Sequence, residues 1–212
     1  MADPLSLPHG SIAMIVIELQ NDLVHPSLAD RPGIPGALSR AIERGGVLRN
    51  VADVLAACRA AGVPVVYATR ERHPSVPQRS LPLHRRAPEG SFLAPGTWGA
   101  QVADEVAPQE GDRVLRRYRS LDPSYGAGLW RVLRELEADT VVVAGVSTTL
   151  AVEGTVRAAA NRGFRSVVVA DGCASVPGEW HRFSIENVLP LLADVATSAE
   201  VIAALSTGGD GD

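Results

Sequence analysis

Ile12–Ile17 reads I-A-M-I-V-I, six apolar residues with no polar residue among them. A strand with one wet face alternates in polarity, so an unbroken run of this length belongs to a strand covered on both faces. Similar runs stand at Pro64–Thr69 (P-V-V-Y-A-T), Val141–Val143 and Ser166–Ala170 (S-V-V-V-A). Asp112–Arg117 reads as a further strand, and Asp194–Thr197 as a short edge strand. Helical spacing fills most of the intervals between them. Alternation of this kind predicts an α/β protein: three αβα layers around a doubly wound, mostly parallel six-stranded Rossmann-like sheet with right-handed crossovers.

The helices follow from apolar spacing. Across Arg44–Ala61, Val47, Val51, Val54, Leu55 and Cys58 share one face, and Gly62 supplies the stop. Further helices are predicted over Thr97–Val106, Tyr125–Glu137, Trp180–Leu192 and Ala199–Leu205. His25–Gly36, with three prolines, reads as a loop. Residues 70–96 hold five prolines and five arginines, and a loop this long in a compact domain is usually functional. Residues 1–10 read as a polar arm, 11–206 as one domain and 207–212 as a disordered tail.

Composition excludes several classes of function. A net charge of −4, with no basic cluster interleaved with aromatics, argues against nucleic-acid binding. Two cysteines cannot build a disulfide framework or a zinc cluster. Met1–Gly10 has no export-signal pattern, and no apolar run nears the ~18 residues that span a bilayer. The expectation is a cytoplasmic protein with a small-molecule substrate or ligand, no cofactor, no membrane and no nucleic acid. All 20 basic residues are arginine.

Chemistry is expected in Val141–Ala160, where an apolar run turns through Gly145, Val146, Ser147 and Thr148 into a helical pattern. A strand feeding a helix N-terminus presents backbone N–H groups, and ligands of open α/β sheets bind at the carboxyl ends of the strands. The polar residues Glu18, Gln20, Asn21 and Asp22 end the first run in the same way.

Three segments together resemble the isochorismatase-like, or cysteine hydrolase, superfamily, which includes nicotinamidases and N-carbamoylsarcosine amidohydrolases. I-V-I-E-L-Q-N-D-L resembles the family's V-I-D-x-Q-N-D-F. The strand from Val114 into Arg117, Tyr118, Arg119 and Ser120 resembles its lysine-bearing segment. G-V-S-T-T-L-A-V-E-G-T-V-R-A-A-A-N-R-G resembles G-V-x-T-x-x-C-V-x-x-T-x-x-x-A-x-x-x-G. The likeness runs over roughly residues 12–205. It implies the isochorismatase-like hydrolase fold and a homodimer or homotetramer.

The resemblance also implies a triad of Asp, Lys and Cys, and all three positions differ here. Glu18 stands at the Asp position, Arg117 at the Lys position and Ala151 at the Cys position. Arg116 and Arg119 are the alternatives should the strand be shifted. Ala151 has no nucleophilic atom, so no thioester can form on it. Arg117 can clamp a carboxylate but cannot shuttle a proton near neutral pH. The family's oxyanion hole needs no side chain: the resemblance implies a cis Val146–Ser147 peptide, with the N–H groups of Ser147 and Ala151 facing the site.

Other residues have a bland and a sharp reading. Glu71 and His73, with His84, match an Asp-x-His metal pattern of some relatives, yet the arginines around them favour a solvated Glu and a rim His, so no metal is expected. Cys173 lacks a neighbour that would activate it, and Cys58 faces its helix core. Ser147, Thr148 and Thr149 are at a helix start, where capping is the usual role. Asp22 fits a turn organiser. Gln20, His73, Trp98, Tyr118 and Tyr125 are expected around the substrate pocket, and Trp180 and His181 read equally as pocket wall or core. Three functions remain: a non-thiol hydrolase using Glu18 as general acid or base, a catalytically silent relative that binds a small carboxylate or amide, and a scaffold for an active paralogue.

Overall fold

The computed structural model describes residues 5–7, 11–73, 75–76, 82–85, 90–118 and 122–207. Six strands form one sheet: β1 (Ile12–Ile17), β2 (Val65–Arg70), β3 (Arg113–Arg117), β4 (Thr140–Val146), β5 (Arg165–Ala174) and β6 (Asp194–Ala196). Their order is β3-β2-β1-β4-β5-β6, and every pairing is parallel. The predicted three-layer αβα fold is the observed one.

The helices are α1 (Asn21–Val24), α2 (Ile34–Gly45), α3 (Val47–Ala60), α4 (Pro82–Arg85), α5 (Leu129–Glu135), α6 (Glu153–Ala160), α7 (Gly178–Phe183) and α8 (Ser198–Thr207). One core joins Met14 and Val16 to Leu38, Val51, Leu55 and Val201 of α2, α3 and α8. The other joins Ala13, Ile15 and Ile17 to Leu129, Leu133, Val152 and Val156 on the opposite face. Alternate residues of β1 thus serve different cores, which is why the run carries no polar position. No helix among the described residues is long and apolar enough to cross a membrane.

Several boundaries differ from the sequence reading. The predicted Arg44–Ala61 helix is two helices broken at Gly46, whose φ of 62° is left-handed. The first begins at Ile34, inside the predicted His25–Gly36 loop, where Pro26–Leu28 also makes a 3₁₀ turn. Gly36 is misleading in sequence: a Cβ there would lie 2.0 Å from the Arg31 carbonyl oxygen, so it serves close approach and not helix breaking. Thr97–Val106 is not a helix but two 3₁₀ turns, Trp98–Ala100 and Asp104–Val106, with Val102 bridged to Gln20 between them. The Asp22 carboxylate occupies the space a Gly99 side chain would need and accepts from the Leu93 N–H at 2.6 Å.

Helix α5 is shorter than Tyr125–Glu137, because Gly126 and Gly128 take positive φ. The predicted Trp180–Leu192 helix starts earlier and changes pitch, from α7 through a π segment, Ser184–Val188, to a 3₁₀ turn, Leu189–Leu191. Strand β5 runs past Ala170, with a register shift opposite Val143–Gly145. Asp171 is therefore inside the strand, where its carboxylate accepts from the Ser198 N–H and hydroxyl, both at 2.7 Å. Leu7 of the arm is buried in the first core, and Thr207 is helical. Residues 208–212 of the expected tail lie outside the described residues.

Gly145 fixes the meeting of the two central strands. Its φ is 130°, and a Cβ would sit 2.1 Å from the Ile17 carbonyl oxygen. Gly145→Ala is expected to destabilise the chain by well over the about 1 kcal/mol of an average substitution, read as a lower denaturant midpoint.

Candidate active site

The strand order reverses between β1 and β4, the place where open α/β sheets bind ligands beyond the carboxyl ends of their strands. Ile17 is in register with Gly145, so Glu18 and Val146 stand at one level on neighbouring strands, about 4.8 Å apart by strand spacing. The Val146–Ser147 peptide is cis. The chain then enters a π turn, Thr148–Val152, instead of a regular α-helix. The Ser147 carbonyl accepts from the N–H groups of Leu150 and Val152, and the Ala151 N–H between them is not one of its donors. The Ser147 N–H donates to no other described residue. Ala151 is buried against the second core.

Glu18 sits just beyond β1 with a φ of 52°, a left-handed conformation uncommon for a side-chain-bearing residue. Its N–H donates to the Ala68 carbonyl at 3.1 Å, and its carbonyl accepts from the Gln20 N–H at 2.8 Å. These bonds hold the strained residue so that its carboxylate turns towards β3. There the buried Arg117 donates through Nη2 to Glu18 Oε1. A second guanidinium N–H, on Arg117 Nη1, reaches the Thr69 carbonyl at 3.4 Å. Glu18 Oε2 makes no hydrogen bond among the described residues.

Of the two described arginines weighed for this position, Arg117 is the one that pairs with Glu18. Arg116 is largely exposed and pairs with Glu71 at 3.2 Å. Arg119 lies outside the described residues.

Arg70 is the residue that the sequence reading missed. It ends β2 directly beside Arg117 in the strand register, and it is buried. Burial chiefly lowers its pKa, with Glu18 raising it and the like charges of Arg117 and Arg72 lowering it. Its backbone is pinned on both sides by the Gln20 amide: the Arg70 N–H donates to Gln20 Oε1 and Gln20 Nε2 donates to the Arg70 carbonyl, both at 2.8 Å. Gln20 Nε2 also donates to the Ala100 carbonyl at 2.7 Å. Gln20, expected on the pocket wall, is thus a fully engaged brace. The signal for Arg70 was present in the sequence: β2 continues one residue past Thr69, and a cation there belongs to the strand and not to the loop.

The expected aromatic wall is divided. His73 stacks edge-on against Tyr118, with ring centroids 5.7 Å apart, beyond the ends of β2 and β3. Trp98 meets His25 in the same manner at 4.8 Å, while its carbonyl accepts from Asn21 Nδ2. Tyr125 is exposed. His181 is half-buried on α7 and lies 2.8 Å from the Thr148 hydroxyl, and burial lowers its pKa. Thr149 pairs with Ser175 through their hydroxyls at 2.9 Å. Glu71 is engaged by Arg116, and the side chain of His84 lies outside the described residues, so the weighed Glu71–His73–His84 set is not assembled among them.

Both thiols are in the cores. Burial pushes Cys58 and Cys173 up to about 12, and the thiolate, the reactive form, is correspondingly scarce near neutral pH. At pH 8 a thiol reagent is expected to label neither in the folded chain within minutes, and both once the chain is unfolded. Fast labelling of Cys173 in the folded state would contradict this placement.

This strand order, with a polar site at the switch point beside a cis turn, is the isochorismatase-like hydrolase fold. The isochorismatase domain profile matches residues 12–200, and the chain belongs to that family. The chain is 30% identical over 211 residues to the ureidoacrylate amidohydrolase RutB of Pseudomonas syringae pv. syringae, covering 91% of this chain and 84% of that protein. Among solved structures, an isochorismatase family protein from Burkholderia thailandensis superposes with a TM-score of 0.74 at 26% identity, covering 96% of this chain and all of the other. The N-carbamoylsarcosine amidase of Thermoplasma acidophilum superposes at 0.68 with 28% identity, over 89% of this chain and 96% of that one.

Proposed function

We propose that the chain is a non-thiol hydrolase of a small amide- or vinyl-ether-type metabolite, with Glu18 as its general acid and base. In this reading Glu18, Arg117 and Ala151 stand where the family carries Asp, Lys and Cys. One observation carries it: the buried Glu18–Arg117 pair sits beside the cis Val146–Ser147 turn, while both thiols lie in the cores. The relatives named for ureidoacrylate and N-carbamoylsarcosine supply the amide class of substrate.

For an amide, Arg117 holds Oε1 of Glu18 and Oε2 takes a proton from water as that water attacks the carbonyl carbon. The carbonyl oxygen gains negative charge and is received by the N–H groups of Ser147 and Ala151. Glu18 then returns the proton to the leaving nitrogen as the C–N bond breaks, giving a carboxylic acid and an amine. For a vinyl ether, Glu18 delivers a proton to the vinyl carbon, water adds to the resulting oxocarbenium carbon and returns its proton to Glu18, and the hemiketal so formed breaks its C–O bond to give a ketone and an alcohol. Arg117 positions and neutralises, transferring no proton. His73 and Tyr118 would line the β2–β3 side of the pocket, with Trp98 and Tyr125 on its outer rim.

The test is turnover of a panel of small ureido acids, primary amides and vinyl-ether acids after iodoacetamide treatment. Hydrolysis that survives the treatment supports the proposal; hydrolysis abolished by it overturns it. A second reading, a silent binding protein, draws support from the core positions of both thiols, which leave no cysteine side chain at the switch point. A carboxylate that raises Tm in a thermal-shift screen and is recovered unchanged after hours favours that reading.

A further inference from the structure

One side of helix α2 changes character along its length. Ile34 and Ala37 are apolar, and Arg40 and Arg44 follow at the three- and four-residue spacing that keeps side chains on one helix face. Ile34 is 52% exposed although it is a large apolar residue. These four residues line a groove of about 520 Å³, together with Val176 and Pro177 from the connection between β5 and α7. Val176 is itself packed on the first core, so that wall is fixed to the body of the protein. The volume falls within the about 300–1,000 Å³ of small-molecule sites. The groove shares no residue with the Glu18–Arg117 pair.

The charge along it is of one sign. No acidic residue lines the groove, and among the described residues neither Arg40 nor Arg44 forms an ion pair. Two other helices place a glutamate four residues from an arginine, and there the charges pair: Arg131 with Glu135, and Arg157 with Glu153. Arg40 and Arg44 have the same spacing but repel each other. Nη1 of Arg40 donates to the Ala29 carbonyl, which holds that guanidinium in place and leaves its other N–H groups for a ligand. We propose that this groove is a second ligand site, one that takes a small organic anion with an apolar body. The body lies on Ile34, Ala37, Val176 and Pro177, and the carboxylate or phosphate head meets the two guanidiniums. Arginine binds such heads through charge-assisted, frequently bidentate bonds, and the head's charge offsets the repulsion between Arg40 and Arg44. Recognition therefore needs both parts: an inorganic anion lacks the apolar contact, and a neutral arene lacks the charge.

Calorimetric titration of the full chain with 2-naphthoate and 2-naphthyl phosphate tests this. At least one of the two is expected to bind with a Kd below about 1 mM, and the tighter one names the head group. Inorganic phosphate and the neutral 2-naphthamide should each bind at least tenfold more weakly. Arg40→Glu combined with Arg44→Glu should raise Kd at least tenfold, and Ile34→Asp should do the same from the apolar end. Should the double variant fail to unfold cooperatively, Arg44→Glu alone replaces it, with the same expected rise. Absence of binding by both naphthyl anions at ~5 mM would overturn the proposal. So would an affinity indifferent to the arginine changes, which places the ligand elsewhere, or 2-naphthamide or inorganic phosphate binding as tightly as the naphthyl anion.

Discussion

Glu18→Gln should lower hydrolysis at least 100-fold on whichever substrate the chain turns over. General acid–base catalysis contributes about 10²–10⁴ in rate, and the amide keeps the size of the carboxyl group while losing its proton-transfer chemistry. The change falls on kcat more than on KM, because Gln preserves a polar contact in the ground state but not the transfer in the transition state. Steady-state kinetics at one pH check this, with Tm measured alongside to show that the fold persists. An unchanged kcat would remove Glu18 from the chemistry.

Arg117→Met should be the most destabilising change at the site. Arg117 is 2% exposed and carries the Glu18 contact. Removing one partner of a buried ion pair costs about 3–5 kcal/mol, because the other charge remains without compensation. For a chain of this size each kcal/mol moves Tm by about 2–4 °C, so a fall of roughly 10 °C is expected. Adding Glu18→Leu should recover most of it, since replacing a whole buried pair by apolar side chains is often nearly neutral. Calorimetry of the single and double variants gives the comparison. A loss under about 1 kcal/mol in the single variant would show instead that Arg70 supports Glu18 alone.

The fold was largely legible because it is written in the apolar runs. β1 has no polar residue, and only a central strand of a covered sheet explains that. Helix edges were less legible where a glycine or proline had a tertiary reason. Gly36 looks like a loop residue until the Arg31 carbonyl is seen against it, and Gly99 yields its space to Asp22. The register shift in β5, which draws Asp171 into the strand as a brace for α8, has no local signal at all.

At the site, the sequence placed Glu18 and Arg117 together, and the structure brings them into contact. It could not distinguish Gln20 as brace from Gln20 as ligand contact, because an amide suits both and only the Arg70 and Ala100 carbonyls decide. Arg70 was concealed by its neighbours: in a segment with Arg72 close behind, a buried cation reads like a solvated one.

The central claim is that hydrolysis runs from Glu18 without a cysteine, and turnover by a thiol-free chain tests it most directly. With Cys58→Ala and Cys173→Ala combined, and cooperative unfolding verified, kcat on the best substrate of the panel should stay within about threefold of wild type, far from the 10²-fold scale of a lost acid–base group. Loss of turnover in the folded thiol-free chain, with Glu18→Gln still active, would contradict it.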